Sequence, residues 1–139
     1  MAKVLVIDDD RGIRHLLDVF LRRKGYDVVL AENGQRGLEL FRQEHPDFIV
    51  LDLKMPEMDG LAVLQEIRRI DRNQPVIMFT GTWTAKTEQQ IRMLGVTEIV
   101  KKESSLGPLE DSLGRLLNAQ SPEIVGSANN QSSTRNRPS

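Results

Sequence analysis

Apolar residues fall along the chain in short runs separated by longer amphipathic stretches. Five runs, at residues 4–7, 28–30, 48–51, 76–79 and 99–100, are rich in Val and Ile and lack a polar alternation. Runs of this kind are buried on both faces, the pattern of strands in a parallel sheet. Between them the spacing becomes helical. Ile13, Leu16, Leu17, Phe20 and Leu21 follow the i, i+3, i+4, i+7, i+8 stripe. Leu38 with Phe41 gives a weaker stripe, Leu61, Leu64 and Ile67 a third, and Leu109, Leu113, Leu116 and Leu117 the last. Residues 84–94 form the poorest amphipath, with Ile91 and Leu94 set among Lys86, Glu88, Gln89, Gln90 and Arg92. A helix that buries so little is held loosely and is expected to be the mobile one.

The punctuation agrees. Gly25 ends the first helix and Gly95 the fourth, while Pro46 and Pro75 precede strands. Five strands strictly alternating with five helices imply right-handed crossovers and helices on both faces, which is an open doubly wound α/β sheet. From about Gln120 the periodicity stops. Residues 121–139 are rich in Ser, Asn and Pro, with Ile124 and Val125 the only adjacent large apolar pair. Such a stretch cannot offset the entropy of ordering, so it reads as a flexible tail or a linker to a further domain.

Composition narrows the chemistry. The 139 residues suffice for one domain with a real core. Lys plus Arg number 19 against 20 Asp plus Glu, a net charge of −1, which offers no electrostatic case for nucleic acid or an anionic membrane. Without cysteine, disulfide scaffolds, Cys-ligated zinc and thiol chemistry are excluded. His15 and His45 are far apart in sequence and read as ordinary helix-surface residues. The first apolar run is too short for a signal peptide, and none approaches the roughly 20 residues of a membrane span. A soluble, cytoplasmic domain is expected.

In an open α/β sheet the site forms beyond the carboxyl ends of the strands, where strand order reverses. Asp8, Asp9 and Asp10 follow the first strand and Asp52 ends the third. If those strands are neighbours, at least three carboxylates meet, and packed like charges are costly unless a cation compensates them. Mg²⁺ suits the arrangement, since it takes one or two carboxylates plus waters and a phosphoryl oxygen. The plainer reading of residues 8–10 is a loop with a helix N-cap. Thr80 closes the fourth strand and Lys102 lies just past the fifth, so a hydroxyl and an ammonium can hold oxygens of a phosphoryl group on Asp52. Taken singly, Thr80 is a helix cap and Lys102 a solvated lysine; their occurrence at successive strand ends favours the site. Asp52 then becomes a carboxylate nucleophile that forms an acyl phosphate.

These residues resemble the receiver domain of bacterial two-component response regulators over roughly residues 1–119, with residues 120–139 as the tail. The opening Val4-Leu5-Val6-Ile7-Asp8-Asp9-Asp10 is similar to the family's acidic-pocket strand, and Leu51-Asp52-Leu53-Lys54-Met55-Pro56-Glu57-Met58-Asp59-Gly60 to its phosphoacceptor signature. The resemblance implies a flavodoxin-like fold with strand order 2-1-3-4-5. It makes Asp8 and Asp9 the metal-organising pair, Asp52 the phosphoacceptor, and the backbone carbonyl of Lys54 a further Mg²⁺ ligand. Thr80 matches the switch hydroxyl and Lys102 the lysine, with Lys101 the competing candidate. Lys54 and Thr82 occupy positions that flank the phosphoryl group and tune its lifetime. Ile99 stands where the family often carries Tyr or Phe as an aromatic switch, and Glu103 where Pro often follows the lysine.

The resemblance further implies a histidine kinase or phosphotransfer protein as donor, and a downstream protein or a second copy as the partner of the switched face. Trp83 reads as a partly buried anchor at the start of the fourth helix or as a partner contact. Met55 and Met58 read as loop packing, because thioethers suit soft metals. Arg135 and Arg137 make a weak basic tip. Other classes fit less well. An FMN-binding module wants a phosphate loop where Asp8–Asp10 would repel phosphate. A haloacid-type phosphatase wants a second Asp where Lys54 stands. A pseudo-receiver that binds partners without phosphorylation is the remaining alternative. No helix-turn-helix follows Gln120, so no direct nucleic-acid binding by this chain is expected.

Overall fold

Each apolar run becomes a strand, and all five pair in parallel. The computed structural model describes residues 1–103 and 105–120. In chain order these form β1 (Lys3–Ile7), α1 (Arg11–Arg23), β2 (Asp27–Ala31), α2 (Gly34–Glu44), β3 (Phe48–Leu51), α3 (Gly60–Ile70), β4 (Val76–Thr80), α4 (Ala85–Met93), β5 (Glu98–Lys101) and α5 (Gly107–Gln120). The sheet order is β2-β1-β3-β4-β5. This is the flavodoxin-like order, and it puts β1 and β3 side by side at the point where the order reverses.

The strands lack polar alternation because both faces are covered. Leu5, Ile7, Ile49, Leu51, Val76 and Met78 enter one buried cluster with Leu38 and Phe41 of α2, Val63, Leu64 and Ile67 of α3, and Ile91 of α4. The alternate residues, Val4, Val6, Phe48, Val50, Ile77 and Phe79, are equally buried and point to the opposite face, where α1 buries Leu17 and Leu21. The chain divides after Ser104, so β1–β5 and α1–α4 make one unit and α5 belongs to a second. In α5, Leu109, Leu113 and Leu116 are buried.

Three expectations change. Leu16 belongs to the predicted stripe of α1 but is 47% exposed, because one residue rotates the helix by 100° and only the line through Leu17 and Leu21 meets the sheet. Leu117 of α5 is 40% exposed, one position round from buried Leu116. His45 is not on a helix surface. It caps the end of α2 in the left-handed region, at φ 48°, a place more often taken by Gly or Asn. The expected tail, with Ile124, Val125, Arg135 and Arg137, lies outside the described residues. No described helix is long and apolar enough to cross a membrane.

The fourth helix is the weakly packed one, as its sequence suggests. Ile91 is its sole buried residue. Polar bonds hold it at its ends instead. Thr84 caps it by accepting from the Thr87 amide at 3.1 Å. The Trp83 indole N–H donates to Glu88 at 2.9 Å, and Arg92 pairs with the same side chain at 3.0 Å. At the far end Arg68 of α3 donates to the carbonyls of Leu94 at 2.6 Å and Gly95 at 3.0 Å. Little apolar area opposes local opening of this helix. Hydrogen exchange read by mass spectrometry is therefore expected to be faster over residues 85–93 than over α1 or α3. Arg68→Ala should speed it further at the Leu94 end. Protection equal to that of α3 would contradict this account.

Candidate functional site

The site is assembled by strand ends. The β1–β3 register pairs Ile7 with Leu51, so the next residues, Asp8 and Asp52, are forced beside one another. The Asp52 amide continues the ladder to the Ile7 carbonyl at 2.9 Å, and the Asp8 amide continues that of β2 to the Ala31 carbonyl at 3.1 Å. Both side chains are buried, with exposures of 2% for Asp8 and 5% for Asp52, while Asp9 is exposed. One oxygen from each of Asp8, Asp9 and Asp52 lies within 4.8 Å of the other two. Asp10 does not join them. It caps α1, accepting from the Ile13 amide at 3.1 Å, and its own amide donates to Asp8 Oδ1 at 2.9 Å. The helix-cap reading of the acidic run therefore holds for Asp10, while Asp8 and Asp9 converge with Asp52.

The Lys102 ammonium offsets this charge. Lys102 Nζ lies 2.8 Å from Asp8 Oδ2 and 3.4 Å from Asp52 Oδ1, and its amide donates to the Thr80 carbonyl at 2.8 Å. Lys101, the competing lysine, is exposed. Thr80 is buried at the end of β4. Burial raises the Asp52 carboxyl above its ordinary range and the Asp8 charge adds to this, while Lys102 and the Thr80 hydroxyl pull it back down. Burial by itself would lower the Lys102 ammonium, but hydrogen bonding and charge attraction to Asp8 and Asp52 outweigh it and hold the ammonium above its usual range.

The loop after Asp52 is tightly built. A Cβ on Gly60 would lie 2.1 Å from the Asp52 carbonyl oxygen, and the Gly60 amide donates to the Leu53 carbonyl at 2.7 Å. Only glycine allows that approach. Asp59 caps α3 through the Ala62 amide. Met55 is buried and Met58 partly buried in the core cluster, so both pack as expected. Glu57 sits in the left-handed region at φ 69°, where a non-glycine residue is strained.

At the mouth, Lys54 and Thr82 meet, with Nζ 3.4 Å from Oγ1. Ile99 pairs with Met78 in the sheet and packs on the core, so it does not join the charged cluster. Trp83 is partly buried against the core, in keeping with an anchor. Two residues escaped the sequence reading. Arg14 donates to the backbone carbonyl of Asp8 at 2.8 Å, and Glu88 accepts from Trp83. Neither carries a sequence signal, because each bond links a loop to a helix position that no regular spacing marks.

Fold and site together define an α/β domain with an acidic pocket and a lysine paired to it at its switch point. A family model, the response regulator receiver domain, matches residues 4–114, and the chain belongs to that family. Among its relatives are sporulation initiation phosphotransferase F of Bacillus subtilis, 33% identical over 83% of this chain and 93% of that protein, and the probable transcriptional regulator ycf27 of Porphyridium aerugineum, 38% identical over 83% of this chain and 48% of that protein. The chain spans about half the length of the ycf27 relatives. Response regulator TrrA of Thermotoga maritima, solved with Mg²⁺ and BeF, is 31% identical with a TM-score of 0.77, over 84% of this chain and 99% of that one.

The Asp52 environment has a consequence for stability. Its raised carboxyl means that the folded state binds the proton more tightly than the unfolded chain does. The resulting destabilisation is absent below the ordinary value of 3.8, grows as pH rises through the folded value, and is complete above it. Asp52→Asn removes it and leaves Lys102 paired with Asp8. In EDTA at pH 7 this variant should melt a few degrees higher, as for a change on the order of 1 kcal/mol. The gain should shrink as pH falls into the ordinary carboxylate range. A variant that melts lower at pH 7 would refute the assignment of burial as the dominant effect.

Proposed function

We propose that Asp52 accepts a phosphoryl group from a histidine kinase or phosphotransfer protein, and that the chain acts as a phosphorylation-controlled switch. The observation that carries this is the convergence of Asp8, Asp9 and Asp52 within 4.8 Å, with Lys102 between Asp8 and Asp52. Three carboxylates and one ammonium leave a local charge of −2, and every donor is a hard oxygen, so the residues fit a divalent cation that prefers oxygen ligands. Mg²⁺, held by Asp8, Asp9 and Asp52 with the backbone carbonyl of Lys54, would supply charge neutralisation at the phosphoryl oxygens.

The protein's own groups do the rest. An Asp52 oxygen attacks phosphorus, the new O–P bond forms as the donor's P–N bond breaks, and the leaving imidazole takes up a proton. Lys102 pairs with a phosphoryl oxygen and Thr80 donates its hydroxyl to another. Drawing Lys102 and Thr80 onto the new group shifts the β4–α4 loop, which leads through Trp83 into the loosely held α4. The charge change biases a pre-existing two-state equilibrium of the face around Ile99 and α4, and that face binds a downstream protein or a second copy. The domain assists its own phosphorylation and autodephosphorylation. Residues 1–119 make up this cytoplasmic receiver.

Intact mass after incubation with acetyl phosphate tests the reaction. A gain of one phosphoryl group that needs Mg²⁺ and disappears in Asp52→Asn is expected. No gain with any donor would leave a phosphorylation-independent interaction module. Lys54, whose ammonium reaches Thr82 across the mouth, contacts or shields the phosphoryl group in this reading. Lys54→Ala should shorten the lifetime of the phosphorylated form by about two- to fivefold, the rate equivalent of one exposed charge contact. An unchanged lifetime would remove Lys54 from that role.

A further inference from the structure

Of the three carboxylates in the cluster, Asp9 alone has no anchor of its own. Asp8 is held by the Asp10 amide and Lys102, and Asp52 is flanked by Lys102 and Thr80. Asp9 is exposed, and no described hydrogen bond or ion pair reaches its carboxylate. Its position follows from the backbone that carries it. The peptide plane joining Asp8 to Asp9 bears the Asp8 carbonyl, and that carbonyl accepts from Arg14 Nη1 at 2.8 Å. Arg14 is half-buried on α1, one turn past the Asp10 cap, and its amide begins the helix by donating to the Asp10 carbonyl at 3.0 Å. Backbone and side chain of Arg14 thus fix the loop from both sides.

We infer that Arg14 is a positioning residue that sets divalent-cation affinity by holding the Asp8–Asp9 peptide, so that the Asp9 carboxylate faces Asp8 and Asp52. This rests on the reading that the three carboxylates hold Mg²⁺. Residues that orient ligands without touching the metal commonly change affinity by 10–100-fold. The sign separates this role from simple electrostatics. A cationic side chain beside an acidic cluster repels a divalent cation, so removing its charge alone would tighten binding. Removing its hold on the peptide loosens binding instead.

The experiment is a titration with MgCl₂ followed by ¹H–¹⁵N NMR on the full chain, for wild type, Arg14→Ala and Arg14→Lys, with Asp9→Asn and the Arg14→Ala/Asp9→Asn double variant. Thermal melting in EDTA reports folding separately. Arg14→Ala should bind Mg²⁺ about tenfold more weakly. Arg14→Lys, which keeps the charge and one donor, should recover part of the loss. In the Asp9→Asn background, Arg14→Ala should cost nothing further, because the residue it positions no longer carries a ligand charge. Binding by Arg14→Ala equal to or tighter than wild type would overturn the inference, as would a full tenfold loss persisting without the Asp9 charge. If Arg14→Ala melts far below wild type, Arg14→Lys and its Asp9→Asn double variant decide the matter alone. A wild-type chain that shows no saturable response to MgCl₂ would overturn the cation reading itself, a failure distinct from one confined to the Arg14 variants.

Discussion

Two buried carboxylates stand on adjacent strands because the β1–β3 register allows nothing else, and they repel. Ile7 opposite Leu51 makes Asp8 and Asp52 neighbours, and apolar packing beneath them keeps solvent from screening the pair. Relief has to come from across the sheet. Lys102 starts beyond β5, and β4 lies between it and β3. The ammonium reaches both aspartates across the end of β4, where the Thr80 carbonyl fixes the lysine's backbone. Strand order and strand length are therefore tied to one electrostatic requirement.

Lys102 relieves that repulsion incompletely. It sits closer to Asp8 than to Asp52, and the Asp52 carboxyl remains raised despite it. Such a site is poised to take up positive charge, and in the function proposed above a phosphoryl group would give the lysine a new and more highly charged partner. The sheet cannot yield, being buried on both faces. The compliant element nearest Thr80 is the loop through Trp83 to α4, which is held by end bonds with one buried apolar side chain. A charge event at the strand ends thus meets a rigid floor and one soft wall.

How much of this was legible in the sequence follows from what sets each feature. The strands were readable as Val- and Ile-rich runs because burial on both faces removes polar alternation. The cluster was readable because strand ends are where such sheets place polar chemistry, so Asp8, Asp52, Thr80 and Lys102 stand out by position. The division of labour within the acidic run was not, since an aspartate that caps a helix and one that faces other carboxylates have the same neighbours in sequence. Only the Asp10–Ile13 bond separates them. The exposure of Leu16 was equally hidden, because five apolar residues at helical spacing do not say how narrow a stripe the sheet accepts. Arg14 and the Trp83–Glu88 bond were invisible for a related reason. Side chains that reach across a loop obey no period.

A haloacid-type phosphatase also uses an aspartyl nucleophile, so under the proposed phosphorylation of Asp52 what would keep the phosphoryl group stored needs a physical cause. Hydrolytic turnover on an alkyl phosphate requires a proton for the departing oxygen, delivered by an acid close to the nucleophile. Two residues beyond Asp52, where such an acid would stand, there is Lys54, and its ammonium lies at the mouth against Thr82. A histidine donor makes no such demand, because its imidazole leaves on gaining a proton from solvent. The residues that surround Asp52 are thus matched to a donor with a good leaving group. Two residues beyond Asp52 they place no carboxylic acid for a poor one.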